Sequence, residues 1–217
     1  MSDMRGNAKI NSLSRASGLQ LVRLTPDGSV FTADWLHALA LEGRVFNASV
    51  GTATTPITFK TGYTTAQPEL AVDVPSGTTI IPIYVGVYLE DSAGTDNEVV
   101  MLTSTTAVGA GMSTAITPKS SRTDNPIATN CSVYSAYSGN GTAPTVNAEF
   151  FRAGYAFADA NTQPPKLFEY DVRRAPMQVV VGTGSLVVYV GGTTTAPAGF
   201  IKAVWAELPT ATAVTLA

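Results

Sequence analysis

The side chains able to do chemistry in this 217-residue chain are few, with one histidine, His37, and one cysteine, Cys131. A Cys–His dyad needs both groups at one site. His37 falls in a stretch ahead of the main body, whereas Cys131 sits in Asn130-Cys131-Ser132-Val133-Tyr134. In such an alternating pattern a free cysteine reads as a small buried hydrophobe. Glu149, Glu169, Asp171 and Glu207 are the acids from which a two-carboxylate hydrolase would draw. Each lies in a strand pattern, where a solvent-facing acid is ordinary. So small a set of imidazole and thiol groups leaves zinc without ligands. Glu90, Asp91, Asp96, Asn97 and Glu98 surround Ser92-Ala93-Gly94-Thr95, an oxygen-rich loop of the kind hard cations favour. Their order is not that of an EF-hand, and a solvated hairpin tip is the plainer reading. Gly109-Ala110-Gly111 and Gly182-Thr183-Gly184 lack the helix and lysine of a phosphate loop. The inventory predicts no catalytic residue, no metal and no cofactor, and it points away from an enzyme.

The elements that would position a site are overwhelmingly strands. In the run 80–90, Ile81, Ile83, Val85, Val87 and Leu89 alternate with Pro82, Tyr84, Gly86, Tyr88 and Glu90, which predicts one core face and one outward face. Further strands are expected at 56–63, 69–74, 98–106, 129–137, 146–157, 167–172, 178–181, 186–190 and 200–208. Pro75-Ser76-Gly77, Gly139-Asn140-Gly141, Gly182-Thr183-Gly184 and Gly191-Gly192 punctuate them, and Asn140-Gly141 is a tight-hairpin signal. Many short strands without intervening helices predict an all-β, antiparallel sandwich. The long connections at 108–128 and around 161–165 favour a jelly roll over an immunoglobulin-type sandwich, whose Cys…Trp…Cys signature is missing.

Ahead of the strands stands a different segment. Up to the turn Pro26-Asp27-Gly28 it carries Arg5, Lys9, Arg15 and Arg23 against Asp3 alone, with few apolar residues, and reads as an extended basic arm. The arm is either a loose terminus or a segment that orders on an acidic partner surface. The stretch 32–43 then predicts one short helix, with Thr32 as cap, Asp34 at its positive end and Gly43 as stop. Trp35, Leu36, Leu39 and Ala40 would share its apolar side. The chain thus divides into an arm and helix, 1–50, and a sandwich domain, 51–217.

Composition narrows the partners. Charged residues make up 13% and the net charge is −3, which gives no electrostatic case for nucleic acid. No stretch is apolar enough to span a bilayer, and the first residues lack a signal-peptide core, so synthesis in a cytoplasm is expected. Few charges and many small β-formers suit edges that meet other protein. Tyr84 and Tyr88, flanking Gly86 on the outward face, are the best candidates for a sugar platform. The alternative for them is packing under a neighbouring sheet or subunit.

Several runs carry a resemblance: Gly43-Arg44-Val45-Phe46-Asn47-Ala48, Thr54-Thr55-Pro56-Ile57-Thr58-Phe59, the stretch from Asp73-Val74-Pro75-Ser76-Gly77 to Pro82, and Gly199-Phe200-Ile201-Lys202-Ala203-Val204-Trp205. In texture and layout the chain resembles virion structural proteins of tailed bacteriophages, most of all their jelly-roll capsid decoration, or cement, proteins. The resemblance implies a homotrimer on the outer capsid surface, bound to the major capsid protein of the same virion. The basic arm (Arg5, Lys9, Arg15, Arg23) and Trp35 would make the contact. The family supplies no catalytic residues. Phage fibre heads share the texture, which leaves a receptor- or carbohydrate-binding jelly roll, using Tyr84 and Tyr88, as the other reading.

Overall fold

The computed structural model describes residues 34–52, 54–91, 96–109, 112–135, 142–156, 166–192 and 195–210. Arg5, Lys9, Arg15, Arg23, Thr32, the Asn140-Gly141 turn and the loop tip 92–95 lie outside them. In chain order the elements are α1 (Trp35–Leu41), β1 (Val45–Val50), β2 (Ile57–Thr58), β3 (Lys60–Thr61), β4 (Leu70–Val74) and β5 (Thr78–Asp91). Then come β6 (Asp96–Ser104), β7 (Thr114–Ile116), β8 (Lys119–Ser120), β9 (Ser132–Ser135) and β10 (Val146–Ala156). The last are β11 (Lys166–Asp171), β12 (Val180–Val181), β13 (Gly184–Gly192) and β14 (Ala198–Pro209). Every expected run contains a strand. The strands that pattern reading passed over are β1, left in the segment ahead of the sandwich, and β7 and β8, inside the long connection.

The strands form two sheets, ordered β11-β5-β14-β1-β8 and β10-β6-β13-β4-β9-β7. The eight long strands are β1, β4, β5, β6, β10, β11, β13 and β14. The first pairs with the eighth, the second with the seventh, the third with the sixth and the fourth with the fifth, all antiparallel. Rolling up that ribbon sets β14 beside β5 and β13 beside β6. This is jelly-roll wiring. The core between the sheets includes Leu70, Val85, Val87, Met101, Leu186, Val188, Ile201 and Trp205.

The long strand β5 departs from simple alternation. Val204 faces Tyr84 but Trp205 faces Pro82, so Ile83 is an extra residue, a β-bulge. Past a bulge the side-chain phase reverses. Val85, Val87 and Leu89 point into the core as the pattern predicts, whereas upstream it is Ile80 that is fully buried. Ile81 and Ile83, expected on the same face as Val85, are only half-buried.

Sheet two is covered on both sides, which is why β13 reads Leu186-Val187-Val188-Tyr189-Val190 without alternation. Val187 and Tyr189 pack with Val100, Leu102, Val108 and Met112 on its outer face. The connection after β6 lies there, pinned by Asp73. Its carboxylate accepts the N–H groups of Val108 and Gly109, each at 2.9 Å, and the Ser185 hydroxyl at 2.6 Å. The same connection then supplies β8, which extends sheet one beyond β1, and β9, which extends sheet two beyond β4.

Helix α1 ends as expected at Gly43, whose φ of 76° is open to glycine at little cost. Its other end differs. Asp34 makes no side-chain cap; its carboxylate pairs with Arg173 at 2.7 Å, tying the helix start to the turn after β11. Leu36 is the buried residue of the helix, while Trp35 is 38% exposed.

The bulge makes a distinguishing prediction. Ile80→Ala should cost about 2–5 kcal/mol in urea unfolding, and Ile83→Ala no more than about 1 kcal/mol. Equal or reversed costs would place Ile83 in the core and remove the bulge.

Candidate functional site

The residues with reactive potential are held apart. His37 is exposed on α1, and Cys131 is buried behind β9. Burial, reinforced by the Glu207 carboxylate, pushes the Cys131 thiol up, so it stays protonated and inert. Glu207 is itself buried and fully engaged. It accepts the Trp205 indole N–H and the Asn130 backbone N–H, each at 3.0 Å, and the Thr129 hydroxyl. Glu149, on β10, is held at 2.7 Å by Arg152, which also reaches Glu98. Glu169 pairs with Arg174 at 3.1 Å, and Asp171 accepts the Arg173 N–H at 2.8 Å to shape the turn after β11. Among the described residues no three His, Cys, Asp or Glu side chains group as metal ligands. Glu98 of the acidic loop is committed to Arg152.

Tyr84 and Tyr88 lie on the outer face of sheet one, as alternation predicts. The register sets three cross-strand rows there: Leu167–Tyr88–Phe200, Glu169–Gly86–Lys202–Ser49 and Asp171–Tyr84–Val204–Asn47. The Tyr84 ring leans over Gly86, where a methyl group would collide with its hydroxyl and ring. Its hydroxyl reaches Glu169; burial and the neighbouring carboxylates hold the phenol above its ordinary value. Phe200 lies in the same way over Gly51, where an added Cβ would come within 2.6 Å of its ring. Tyr88 packs beside Phe200, with ring centroids 6.2 Å apart.

The two flanks of the sandwich are unlike. On one, the inserted β8 and β9 occupy the sides of β1 and β4. On the other, β10 and β11 end their sheets, with no further strand beside them among the described residues. The pair Val172–Ile83, bonded through the Val172 N–H, sets the parity of β11: Tyr170 and Phe168 bond inward, and Leu167 and Glu169 turn their backbone groups outward. Beside this edge stands a run of exposed apolar side chains. Leu167, Met177 and Val179 are each 49% exposed and Val181 42%, the last three alternating along an extended segment.

Pattern reading overlooked Glu69. It is 1% exposed at the head of β4, where it accepts the Lys60 N–H of β3 at 2.8 Å and donates its own N–H to Val188. The segment it holds crosses the end of the sandwich. β2 pairs with β14 of sheet one, and β3 pairs with β13 of sheet two. Burial pushes the Glu69 carboxyl up to about 8, against the opposing pull of the Lys60 N–H and ammonium. Its only sequence signal is an acid abutting the apolar run Leu70-Ala71-Val72.

No family model matches the chain, and no curated protein matches it. Among solved structures it aligns with the VP2 subviral particle of infectious bursal disease virus at 10% identity and a TM-score of 0.17. The alignment covers 79% of this chain and 43% of that one, so the chain matches less than half of the VP2 length.

Glu69 makes stability depend on pH. Between about pH 4.5 and 8 the folded chain holds its proton and the unfolded chain does not. Unfolding then releases a proton, so stability falls as pH rises through that window, by at most about 1.4 kcal/mol per pH unit. Glu69→Gln should remove this slope while keeping an acceptor for the Lys60 N–H. Urea unfolding at pH 5 and pH 8 measures it; the same slope in both proteins would refute the assignment.

Proposed function

We propose that the chain is a virion structural protein, a jelly-roll capsid decoration subunit. It stabilises a phage head through its basic arm and its subunit edges. The observation that carries this reading is the contrast between the flanks. One ends in the short inserted strands β8 and β7, and the other ends in the longer β10 and β11 beside exposed Leu167, Met177, Val179 and Val181. Open edges beside apolar side chains are an aggregation hazard unless a defined partner covers them. With only 13% charged residues the chain has little repulsion to keep that flank solitary. Closed symmetric assembly resolves the hazard, and the proposed form is a homotrimer.

The arm supplies the second contact in this proposal. Arg5, Lys9, Arg15 and Arg23 lie on the major capsid protein of the same virion, and the exposed Trp35 at the arm's root is an anchor of the type that dominates interfaces. The subunit then sits on the outer capsid surface and needs no cofactor and no reaction. The reading is supported by how the reactive groups are spent: Glu207, Glu149 and Asp171 serve internal bonds, and Cys131 is buried.

Val179→Lys with Val181→Lys should leave the fold intact, because both side chains are exposed, and should convert the oligomer to monomer in sedimentation. Deleting residues 1–27 should weaken binding to preformed shells by at least about tenfold, or 1.4 kcal/mol. Monomeric wild type, or full decoration by the truncated chain, would sink the respective half of the proposal.

A further inference from the structure

The outer face of sheet one is built differently from the apolar flank. Its rings lie down. Tyr84 leans over Gly86 and Phe200 over Gly51; a Cβ on Gly86 would meet the Tyr84 ring, and Gly51 has in addition a φ of 93°, which favours glycine. Glycine inside a strand weakens the strand, and its presence marks a place where something approaches the backbone closely. Within β5 the approach to Gly86 is made by the Tyr84 ring, and just past the end of β1 the Phe200 ring lies over Gly51 in the same way, so two rings lie over backbone on this face. Tyr84, Tyr88 and Phe200 are half-buried.

Around the Tyr84 ring stand groups able to bond in its plane. Gly86, under the ring, pairs with Glu169 on one side and with Lys202 on the other, and Ser49 follows Lys202 in the same row. Neighbouring strands are about 4.8 Å apart, so Glu169 and Lys202 stand on the two strands either side of the residue beneath the ring. Glu169, Lys202 and Ser49 are all exposed. The charges balance: Glu169 and Asp171 are matched by Lys202 and Arg174, with Arg174 at 3.1 Å from Glu169. A balanced site favours a neutral ligand over an ionic one.

We propose that this face is a binding site for a neutral pyranose sugar, stacked on Tyr84 beside the Tyr88–Phe200 pair, with its hydroxyls bonded to Glu169, Lys202 and Ser49. A pyranose has a flat C–H face and a rim of hydroxyl donors and acceptors, which matches an aromatic ring with an acid and a lysine in the adjoining cross-strand row. A protein partner fits less well, since interfaces of standard size are centred on protruding anchors seated in pockets. The assignment is independent of the proposed capsid role. It gives the outward face of the subunit a ligand of its own.

The test is an NMR titration of the full chain with the methyl glycosides of glucose, galactose, mannose and N-acetylglucosamine, and with a sialoside as the anionic comparison. At least one neutral glycoside should shift the amides of Tyr84, Gly86, Glu169 and Lys202, with a Kd in the range of roughly 1–10 mM, as expected for a single shallow ring contact. Tyr84→Ala should weaken binding at least about tenfold, whereas Tyr84→Phe, which keeps the ring, should stay within about threefold. Lys202→Ala, at an exposed position clear of the core, should weaken binding several-fold and serves if Tyr84→Ala fails to fold. No shift with any neutral glycoside, shifts that survive Tyr84→Ala, or preference for the sialoside would each overturn the proposal.

Discussion

Every strand carries hydrogen-bonding groups along both of its sides, and a two-sheet sandwich has four strands that run out of neighbours. Much of this molecule follows from where those outer strands are satisfied. The connection after β6 does most of the satisfying: it lays β8 against β1 and β9 against β4. It is held in place by Asp73, whose carboxylate takes two backbone N–H groups and the Ser185 hydroxyl. One polar side chain in an otherwise apolar strand thereby fixes the cover of sheet two and orients a long insertion. The flank that this insertion does not reach is the one that carries the exposed apolar run.

Buried acids perform the corresponding task at other junctions. Glu69 holds the segment that ties the two sheets together at one end, and Glu207 gathers Thr129, Asn130 and Trp205 where the insertion meets β14. A buried carboxylate is costly unless its lone pairs are filled, so such residues persist where they organise several backbone groups at once. Of the acids weighed as a catalytic pair, Glu149, Asp171 and Glu207 are spent individually on structure. The outer face of sheet one is where polar groups remain presented to solvent beside aromatic rings.

Much of the strand array was legible because side-chain alternation and turn chemistry are local. The run 80–90, the stretch that became β14 and the glycine-rich breaks needed no knowledge of the rest of the chain. β1 was harder: Val45-Phe46-Asn47-Ala48-Ser49-Val50 follows a helix directly, without a long turn signal to set it apart. β7 and β8 are so short that pairing partners, rather than pattern, make them strands. Tyr84 and Tyr88 were assigned to the correct face, yet nothing local states that one ring rests on Gly86 and a third, Phe200, on Gly51.

By itself, then, the sequence determined the all-β class, the short helix, the core-facing residues Val85, Val87 and Leu89, and the scarcity of reactive groups. These depend on composition and on a two-residue period. Only the tertiary structure decided which strands are neighbours, which edges the insertion covers, and that a bulge at Ile83 exchanges Ile81 for Ile80 in the core. It also decided that Glu69 and Glu207 lie inside. The physical reason is the same in each case: pairing and burial depend on what arrives from elsewhere in the chain, and one added residue in a strand reverses the face of every residue beyond it.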